Sequence, residues 1–400
     1  MKFQPSVFRA EFPSLQSDSI YLDSASTSLK PQVMIDATNH YYTHNTATIL
    51  RSKHSTALAL TEQFEQARIL TAKLINAEHS HEIIWTKGAT ESLNLIAQSH
   101  ARYLLKEDDE IIISELEHHS NLIPWLQVAQ QIGVKVIKWS IEEDGSLSTD
   151  RLLTLITDKT RIITVTQMSN VTGFKPDIAK ISDIAHQHNA IIVVDGAQGI
   201  VHQAIDVKKY NIDFYVFSAH KLYGPTGLGV LYGKSDLLTK MDCGQGGGKM
   251  LKSASFTGFQ PADLPYKFEA GTPNIAGALG FHATLKWLFA LDTEAAEAYT
   301  NKLVNDCRAK LIEAIPQLKI ISVADSSILT FALPHIHHDD ISILLAEQNI
   351  AIRAGELCAQ PLIKALGFPG VIRASFMPYN NIDDTNHLIS GLQSAIDILK

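Results

Sequence analysis

The chain has 400 residues, of which 45% are hydrophobic and 19% charged, and its formal net charge is -8. This length exceeds what one hydrophobic core normally organises, so a large and a small domain are expected. The acidic balance and the lack of clustered Lys and Arg exclude a nucleic-acid-binding surface. No stretch reaches the roughly 18 apolar residues of a membrane span, so a small molecule remains as the expected ligand.

The amino terminus and the cysteines indicate the compartment. The sequence MKFQPSVFRAEFPSLQ has no apolar region of the kind found in a signal peptide. Cys243, Cys307 and Cys358 are too few and too scattered for a disulfide framework, and their spacing does not fit a zinc site. We therefore expect a metal-free protein in the reducing cytoplasm.

From about residue 80, short β-branched runs alternate with amphipathic stretches. The runs are EIIWT (82–86), EIIIS (110–114), VKVIKW (134–139), RIITVT (161–166), AIIVVD (190–195) and FYVFS (214–218). Helical periodicity covers 91–105 and 178–187 between them. This alternation predicts an α/β domain with a mainly parallel sheet and helices on both faces.

The pattern changes after GTPNIAGALG (271–280). A long amphipathic stretch over 276–311 leads into a shorter αβ region that ends in a helix over 383–400. We predict an amino-terminal segment over 1–20, a large domain over 21–285 and a small carboxy-terminal domain over 286–400. The first segment is expected to wrap onto the small domain or onto a partner subunit.

Two charged residues follow predicted strands. Lys221 lies in SAHKLYGPTGLG (218–229), whose glycines allow the backbone to approach a ligand closely. Asp195 ends the run AIIVVD, at the edge where open α/β sheets form their ligand crevice. A lysine can form a Schiff base, and a carboxylate can keep a pyridinium ring protonated. Considered singly, Lys221 also fits a solvated surface charge and Asp195 a turn cap.

A second group of residues has the features of a phosphate site. In TKGATESLNLIA (86–97) a glycine turn precedes an amphipathic helix, so the backbone N–H groups of Ala89 and Thr90 are expected to point at an anion. Ser218 and His220 could supply further donors. Thr90 fits an N-cap without a ligand equally well.

The remaining candidates are histidines, a cysteine and an arginine. His118 in SELEHHSNLIPW (114–125) is suited to stack on a flat ring or to transfer a proton. Cys358 in IRAGELCAQPL (352–362) is a nucleophile or a buried filler. Arg373, fifteen residues later, is suited to clamp an α-carboxylate. The segment HIHHDD (335–340) is interpreted as a solvated turn, because nothing nearby completes a tetrahedral metal site.

Together these motifs resemble those of a known family. The ordered series EHHSN, MSNVTG, VDGAQG, HKLYGPTG, FEAGTPN and RAGELCAQPL is similar to that of fold-type I pyridoxal 5'-phosphate (PLP) enzymes of the class V aminotransferase family, specifically its cysteine desulfurases. The resemblance is strongest to the cysteine sulfinate desulfinase and Suf-type group II branch, and it extends from YLDSASTSLKP (21–31) to RASFMPYN (373–380). It implies a seven-stranded large-domain sheet, PLP as the cofactor and a homodimer.

The resemblance also implies a role for each candidate residue. Lys221 is the implied Schiff-base lysine, Asp195 the partner of the pyridine nitrogen and Gln198 the partner of the ring hydroxyl. His118 is implied to stack on the ring and to act in acid/base catalysis. The implied cofactor ligands are Ala89, Thr90, His118, Asp195, Gln198, Ser218, His220, Lys221 and, reaching across a dimer interface, Thr272. Asn170 and Arg373 are implied to hold the carboxylate of L-cysteine, and Cys358 to take up its sulfur as a persulfide while alanine is released.

Some positions depart from the family pattern. Glu356 and Leu357 precede Cys358 where relatives often carry a histidine, and a nearby carboxylate disfavours a thiolate. Slow intrinsic desulfuration is therefore expected, with a small sulfur-acceptor protein implied for the full rate. Cys243, in MDCGQGGG (241–248), is expected to be a second exposed thiol.

Three other functions fit part of the pattern. In a selenocysteine lyase or a cysteine sulfinate desulfinase, the leaving group departs without help and Cys358 is dispensable. A transaminase of the same fold requires a keto acid and has no use for Cys358. A non-catalytic sulfur-relay scaffold would not need Lys221, Asp195 and Arg373 together.

Overall fold

The computed structural model describes residues 3–16 and 19–400. The helices are α1 (Pro5–Ala10), α2 (Gln32–Thr43), α3 (Ser55–Leu74), α4 (Ala89–Ile96), α5 (Arg102–Leu104), α6 (Ile123–Ile132), α7 (Thr149–Leu155), α8 (Ile178–Gln187), α9 (Gly199–His202), α10 (Ser235–Lys240), α11 (Ile275–Phe289), α12 (Thr293–Ala314), α13 (His338–Glu347), α14 (Gln360–Ala365) and α15 (Ile382–Leu399). The strands are β1 (Ile20–Tyr21), β2 (Ile83–Thr86), β3 (Glu110–Ser114), β4 (Lys135–Trp139), β5 (Thr160–Thr166), β6 (Ile191–Asp195), β7 (Phe214–Ser218), β8 (Gly229–Gly233), β9 (Leu251–Ser255), β10 (Gly258–Pro261), β11 (Lys319–Ile320), β12 (Ile328–Ala332), β13 (Ile350–Ala351), β14 (Arg353–Gly355) and β15 (Val371–Ser375).

A seven-stranded sheet forms the centre of the large domain, in the order β2-β8-β7-β6-β5-β3-β4. Strand β8 runs antiparallel to both of its neighbours, and the other pairs are parallel. The predicted α/β class with a mainly parallel sheet is thereby confirmed. The carboxyl ends of β3, β5, β6 and β7 consequently lie along one edge, where an open α/β sheet presents its ligand crevice.

Helices cover both faces of this sheet. Along β5, Ile163 and Val165 belong to a buried cluster shared with α3, α8 and α11, whereas Ile162 belongs to the cluster on the opposite face with α4 and α6. This alternation follows from the two-residue period of a strand, and burial on both faces explains the nearly continuous apolar runs of the sequence. The buried sheet is thus a rigid base for the loops at its edge.

The carboxy-terminal part of the chain has its own sheet and core. Strands β11, β12, β15 and β14 form a four-stranded antiparallel sheet in that order. Helices α12, α13 and α15 pack on it around a separate buried cluster. Strand β15 contributes Arg373 and β14 contributes Arg353, so this sheet brings two guanidinium groups toward the large domain.

The amino-terminal segment joins the two sheets within one chain. Phe12 is fully buried against Tyr223 and Tyr379. Arg9 forms a 2.9 Å ion pair with Asp384 at the start of α15. Positions 1, 2, 17 and 18 of the predicted segment lie outside the described residues, and the domain limits at 20 and 285 stay predictions.

Two predicted helices differ from those in the structure. The helix expected over 91–105 begins two residues earlier, at Ala89, and a π-helical turn over Ala97–Ala101 interrupts it. The stretch over 276–311 forms two helices, because Asp292 accepts a hydrogen bond from Ala295 N and starts α12 anew. Within the described residues, no helix has both the length and the apolar character needed to cross a bilayer.

A buried ion pair fixes α3 to the segment that precedes α11. The Arg68 guanidinium donates to both carboxylate oxygens of Glu269, at 2.6 and 3.0 Å, and both side chains are at most 2% exposed. The Glu269 carboxylate also accepts a hydrogen bond from Trp85 N at 2.8 Å. The pair therefore ties three separate segments of the large domain together.

We expect Arg68→Met to lower the free energy of unfolding by about 3–5 kcal/mol, because the change leaves a buried carboxylate without its counter-charge. Denaturant unfolding followed by circular dichroism measures this loss. Arg151→Met is the control, since the Arg151–Glu142 pair is also bidentate but lies on the surface and should contribute little. An equal, small effect of both substitutions would contradict the expectation.

Candidate active site

A cavity of about 210 Å³ opens at the carboxyl edge of the central sheet. Side chains from β5, β6 and β7 and from the loop after β3 line it, together with residues of the small domain. The lining residues are Ala25, Ser26, Ala89, Thr90, His118, Ser120, Thr166, Met168, Asn170, Asp195, Ala197, Gln198, Ser218, His220, Lys221, Arg353, Leu357, Cys358 and Arg373. Every predicted site residue except Thr272 is therefore brought to one place.

Lys221 and Asp195 interact electrostatically within this cavity. Lys221 ends the 3-10 turn Ala219–Lys221 that follows β7, and burial lowers the pKa of its amine to about 8, although Asp195 opposes the shift. Asp195 is the last residue of β6, and burial raises the pKa of its carboxyl group while Lys221 partly offsets that rise. A lysine whose pKa lies near 8 has a reactive neutral fraction at physiological pH.

The start of α4 and the end of β7 approach each other closely. Ala89 N donates to Ser218 Oγ at 2.8 Å, and the Thr90 and Ser120 hydroxyls lie 2.7 Å apart. A Cβ added at Gly229 would lie 2.3 Å from the Gly88 backbone, so this close packing requires glycine. The arrangement places backbone amides, hydroxyls and the His220 ring around one end of the cavity.

His118 follows β3 and lies beside Lys221. Burial, with help from the Lys221 charge, lowers the pKa of its imidazole to about 4, so the ring is neutral at physiological pH. Ser120 N donates to His118 Nδ1 at 3.1 Å, which leaves the ring proton on Nε2. A neutral imidazole that carries its proton on Nε2 suits both stacking and proton donation.

Cys358 lies on a tight loop of the small domain. Leu357 and Cys358 both have positive φ values, 51° and 55°, and His119 N donates to the Cys358 carbonyl at 2.8 Å. Asn170 Nδ2 donates to the Leu357 carbonyl at 2.8 Å. These two hydrogen bonds attach the cysteine loop to the large domain and direct the half-buried thiol into the cavity.

Arg373 is 2% exposed, and its guanidinium is held from several sides. It donates to Asp23 Oδ1 at 3.1 Å, to Ser26 Oγ at 3.0 Å and to the Asn170 carbonyl at 2.9 Å. Its Nε is buried and has no hydrogen-bond partner among the described residues. A ligand carboxylate is the group best suited to this guanidinium.

Comparisons with known proteins agree with this geometry. Residues 20–388 match the family described as Aminotransferase class-V. The chain belongs to the class V aminotransferase family. It is 47% identical over 397 residues to the cysteine desulfurase CsdA of Escherichia coli, with 99% of each chain covered, and 45% identical over 400 residues to a probable cysteine desulfurase of Vibrio cholerae, with 98% of each covered.

Solved structures of class V aminotransferases have the same fold. The S-sulfonic acid form of Escherichia coli CsdA superposes with a TM-score of 0.95, at 46% identity and over 100% of both chains. The apo cysteine desulfurase of Thermococcus onnurineus superposes with a TM-score of 0.94, at 31% identity, over 99% of this chain and 100% of the other. The predicted family, the fold-type I class and the expectation of PLP as cofactor are thereby confirmed.

The residues of this class V aminotransferase cavity fit PLP. Gln198 Oε1 is buried and lacks a hydrogen-bond partner among the described residues, as expected of an acceptor whose donor is a ligand hydroxyl. Asp195 is a buried carboxylate whose pKa a pyridinium cation would lower again. Lys221 donates no hydrogen bond to any described residue, so its amine is free to bond covalently to an aldehyde.

Thr272 lies outside this cavity. It is exposed and lines a second cavity, of about 700 Å³, together with Trp85, Phe268 and Cys243. Its role across a dimer interface stays a prediction. Cys243 is 7% exposed, so the expectation of a second exposed thiol is wrong; burial raises the pKa of its thiol.

The structure adds functional candidates that the motifs did not single out. Arg353 Nη2 lies 4.0 Å from Cys358 Sγ, and Arg353 Nη1 donates to Ser26 Oγ at 3.0 Å. Glu117, which precedes His118 in the sequence, is buried, and burial raises the pKa of its carboxyl group to about 8. Arg353 occurs five residues before Cys358 in a quoted motif, and that proximity was the available signal.

The segment HIHHDD is more ordered than a solvated turn. His337 Nδ1 accepts a hydrogen bond from Asp339 N and caps α13. The side chains of His337, His338 and Asp339 hold possible ligand atoms within 4.8 Å of one another, although His337 and Asp339 are exposed. The expectation of a metal-free protein stays a prediction.

Proposed function

We propose that this chain is a PLP-dependent cysteine desulfurase that converts L-cysteine to L-alanine and holds the sulfur as a persulfide on Cys358. The observation that carries the proposal is the meeting of Lys221, Arg373 and Cys358 in one cavity, although they come from two domains. A lysine base, a carboxylate clamp and a thiol are the three groups that the reaction requires. Similarity to named cysteine desulfurases over almost the whole chain supports it.

Binding begins with the substrate carboxylate. Arg373 offers its guanidinium from the rigid strand β15, and its hydrogen bonds to Asp23 and Ser26 fix the orientation of that group. Asn170 links the same region to the cysteine loop through the Leu357 carbonyl. A bound carboxylate is therefore positioned relative to both Lys221 and Cys358, and this positioning lowers the barrier.

Lys221 is the group that moves the substrate proton. When bound, PLP supplies an electron sink through its protonated pyridine ring, which Asp195 would keep protonated. The Lys221 amine, with its pKa lowered to about 8, accepts the proton from the substrate Cα at neutral pH. Neutral His118, with its proton on Nε2, is placed to donate a proton to the carbon that becomes the methyl group of alanine.

Cys358 takes the sulfur. Its thiolate forms an S–S bond to the substrate sulfur while the Cβ–S bond breaks, and the electron pair of that bond stays on the carbon, which is then protonated. Arg353 Nη2, 4.0 Å from Cys358 Sγ, places a positive charge beside the sulfur that attacks. The Glu356 carboxylate is exposed and accepts a hydrogen bond from Gln360 Nε2, so it is directed toward the start of α14.

The persulfide requires an acceptor and a compartment in which thiols stay reduced. A small sulfur-acceptor protein would approach the half-buried Cys358 from the solvent side, and the cytoplasm meets the requirement for free thiols. A homodimer is proposed in which Thr272 completes the phosphate site of the partner subunit. Cysteine sulfinate and selenocysteine are proposed as further substrates, since their leaving groups depart without a nucleophile.

Mapping the sulfur tests the proposal. The holoenzyme is treated with L-cysteine without reductant, digested, and analysed by mass spectrometry for a peptide that is heavier by one sulfur atom. We expect the added sulfur on Cys358 in the wild type and in a Cys243→Ala control. In both proteins, one alanine should form for each persulfide. Alanine formation with no persulfide on Cys358 would instead favour the lyase or desulfinase, in which the thiol is dispensable.

A further inference from the structure

The backbone carbonyl of His220 lies directly before Lys221 and accepts hydrogen bonds from a conspicuous cluster of donors. Ser28 N and Ser28 Oγ each lie 3.1 Å from the oxygen, Thr27 Oγ1 lies 3.2 Å away and Lys30 Nζ lies 2.7 Å away. A carbonyl oxygen has two lone pairs, so four donors exceed what satisfaction of a buried acceptor requires. The cluster therefore does more than compensate for burial.

Lys30 is the strongest of these donors. Its 2.7 Å contact with the His220 carbonyl is the shortest of the four, and its long side chain reaches the oxygen from outside the turn. Within the described ranges, Lys30 forms no ion pair with a carboxylate, and its other hydrogen bond is a 3.4 Å contact with Thr27 Oγ1. The main interaction of the Lys30 ammonium or amine group is therefore with one backbone oxygen, that of His220.

The donor segment is itself anchored. Tyr21 donates through its hydroxyl to the Thr27 carbonyl at 2.7 Å, and Ser28 Oγ accepts from Tyr223 N at 2.8 Å. The segment therefore holds the Lys221 turn on both sides, at the carbonyl before the lysine and at the amide two residues after it. Because a peptide unit is planar, fixing the His220 oxygen also fixes the nitrogen and Cα of Lys221.

We infer that Lys30 is a positioning residue, which holds the His220–Lys221 peptide so that the Lys221 amine reaches both the cofactor and the substrate Cα. This inference rests on the role of Lys221 proposed above. Lys30 does not line the Lys221 cavity, so it acts through the backbone. Burial lowers the pKa of Lys30 to about 7, and its amine and ammonium forms both donate to the carbonyl.

The test uses Lys30→Met, which removes the donor at nearly constant length, and Lys30→Arg, which restores one. We expect Lys30→Met to lower kcat for L-cysteine about tenfold while KM changes less than twofold, since the carboxylate clamp is untouched. The melting temperature should fall by no more than about 4 °C, because Thr27 and Ser28 still satisfy the carbonyl. Lys30→Arg should keep at least half of the wild-type kcat.

A second readout does not depend on turnover. Borohydride reduction of the PLP-loaded protein, followed by peptide mapping, measures the fraction of cofactor attached to Lys221, and we expect that fraction to fall in Lys30→Met. Lys234→Met is the control, because Lys234 donates to a backbone carbonyl, that of Asn211, and to the Asp213 carboxylate, at the opposite end of β7 and β8. It should leave kcat and attachment unchanged.

The possible outcomes distinguish a wrong cofactor lysine from a wrong role for Lys30. Wild-type protein that attaches its cofactor to a lysine other than Lys221 would overturn the proposed site itself. Attachment to Lys221 that is equal in wild type and Lys30→Met, with kcat within twofold, would overturn the positioning role alone. So would a loss of kcat in Lys30→Met and Lys30→Arg that tracks a shared loss of melting temperature, because this would be a packing effect.

Discussion

Cys358→Ala is expected to lower the rate of alanine formation from L-cysteine to less than about one-hundredth of the wild-type rate, a loss of transition-state stabilisation of at least about 2.7 kcal/mol. The same substitution should leave the rate on L-cysteine sulfinate within about threefold of the wild type, since sulfur dioxide leaves without a nucleophile. Parallel assays of alanine on both substrates, with dithiothreitol present, measure the two rates.

The ratio of the two rates is the informative quantity. Asn170 and His119 hold the cysteine loop through its backbone carbonyls, and Cys358→Ala leaves these carbonyls in place. If the substitution nevertheless disturbed the cavity as a whole, the rates on both substrates would fall together. Cys307→Ala serves as the control, since Cys307 is buried in the core of the small domain and does not line the cavity. Equal activity of Cys358→Ala and wild type on L-cysteine would remove the persulfide role and leave a lyase.

Strand ends were the most predictable part of the site. Asp195 and Ser218 end β6 and β7, and Lys221 follows three residues later, so the topology of a parallel sheet alone brings them to one edge. The apolar runs located six of the seven strands of the central sheet. Strand β8 was not predicted because GVLYG has a glycine at each end and only one β-branched residue.

The small-domain half of the site is not readable from periodicity. The contact between His119 N and the Cys358 carbonyl joins positions 239 residues apart, and only the family resemblance predicted that Cys358 belongs to the same site as the large-domain residues. Arg353 was missed because β14 is three residues long and gives no alternating pattern. The break between α11 and α12 was missed because one capping aspartate, Asp292, outweighed a continuous amphipathic pattern.

Burial explains why the cavity residues have unusual protonation. The pKa of Lys221 falls to about 8, that of His118 to about 4 and that of Glu117 rises to about 8, in each case chiefly because burial disfavours the charged form. Each shift increases the neutral fraction at physiological pH, so His118 and Glu117 are mostly neutral and Lys221 has a reactive neutral fraction. The apolar strands that bury the site therefore also shift the pKa values of the groups that transfer protons.

Lys221→Ala is expected to abolish turnover on L-cysteine and on L-cysteine sulfinate alike, since both reactions need the Cα proton to be removed. A positioned general base contributes about 10²- to 10⁴-fold, and loss of the covalent attachment of the cofactor adds to that deficit. Alanine formation followed over hours measures the residual rate. Lys221→Arg is a useful companion, because it keeps a positive charge near Asp195 but cannot act as a neutral amine at this pH.

The contrast with Cys358→Ala makes this prediction specific. Cys358→Ala should lower the rate on L-cysteine only, whereas Lys221→Ala should lower the rates on both substrates. The reason is that Lys221 removes the Cα proton before the Cβ–S bond breaks. PLP should still bind to Lys221→Ala through the residues around Ser218 and Gln198, which absorption spectra of the dialysed protein would detect. Turnover of L-cysteine sulfinate by Lys221→Ala at a rate near that of the wild type would assign the base to another residue, and neutral His118 is the nearest candidate.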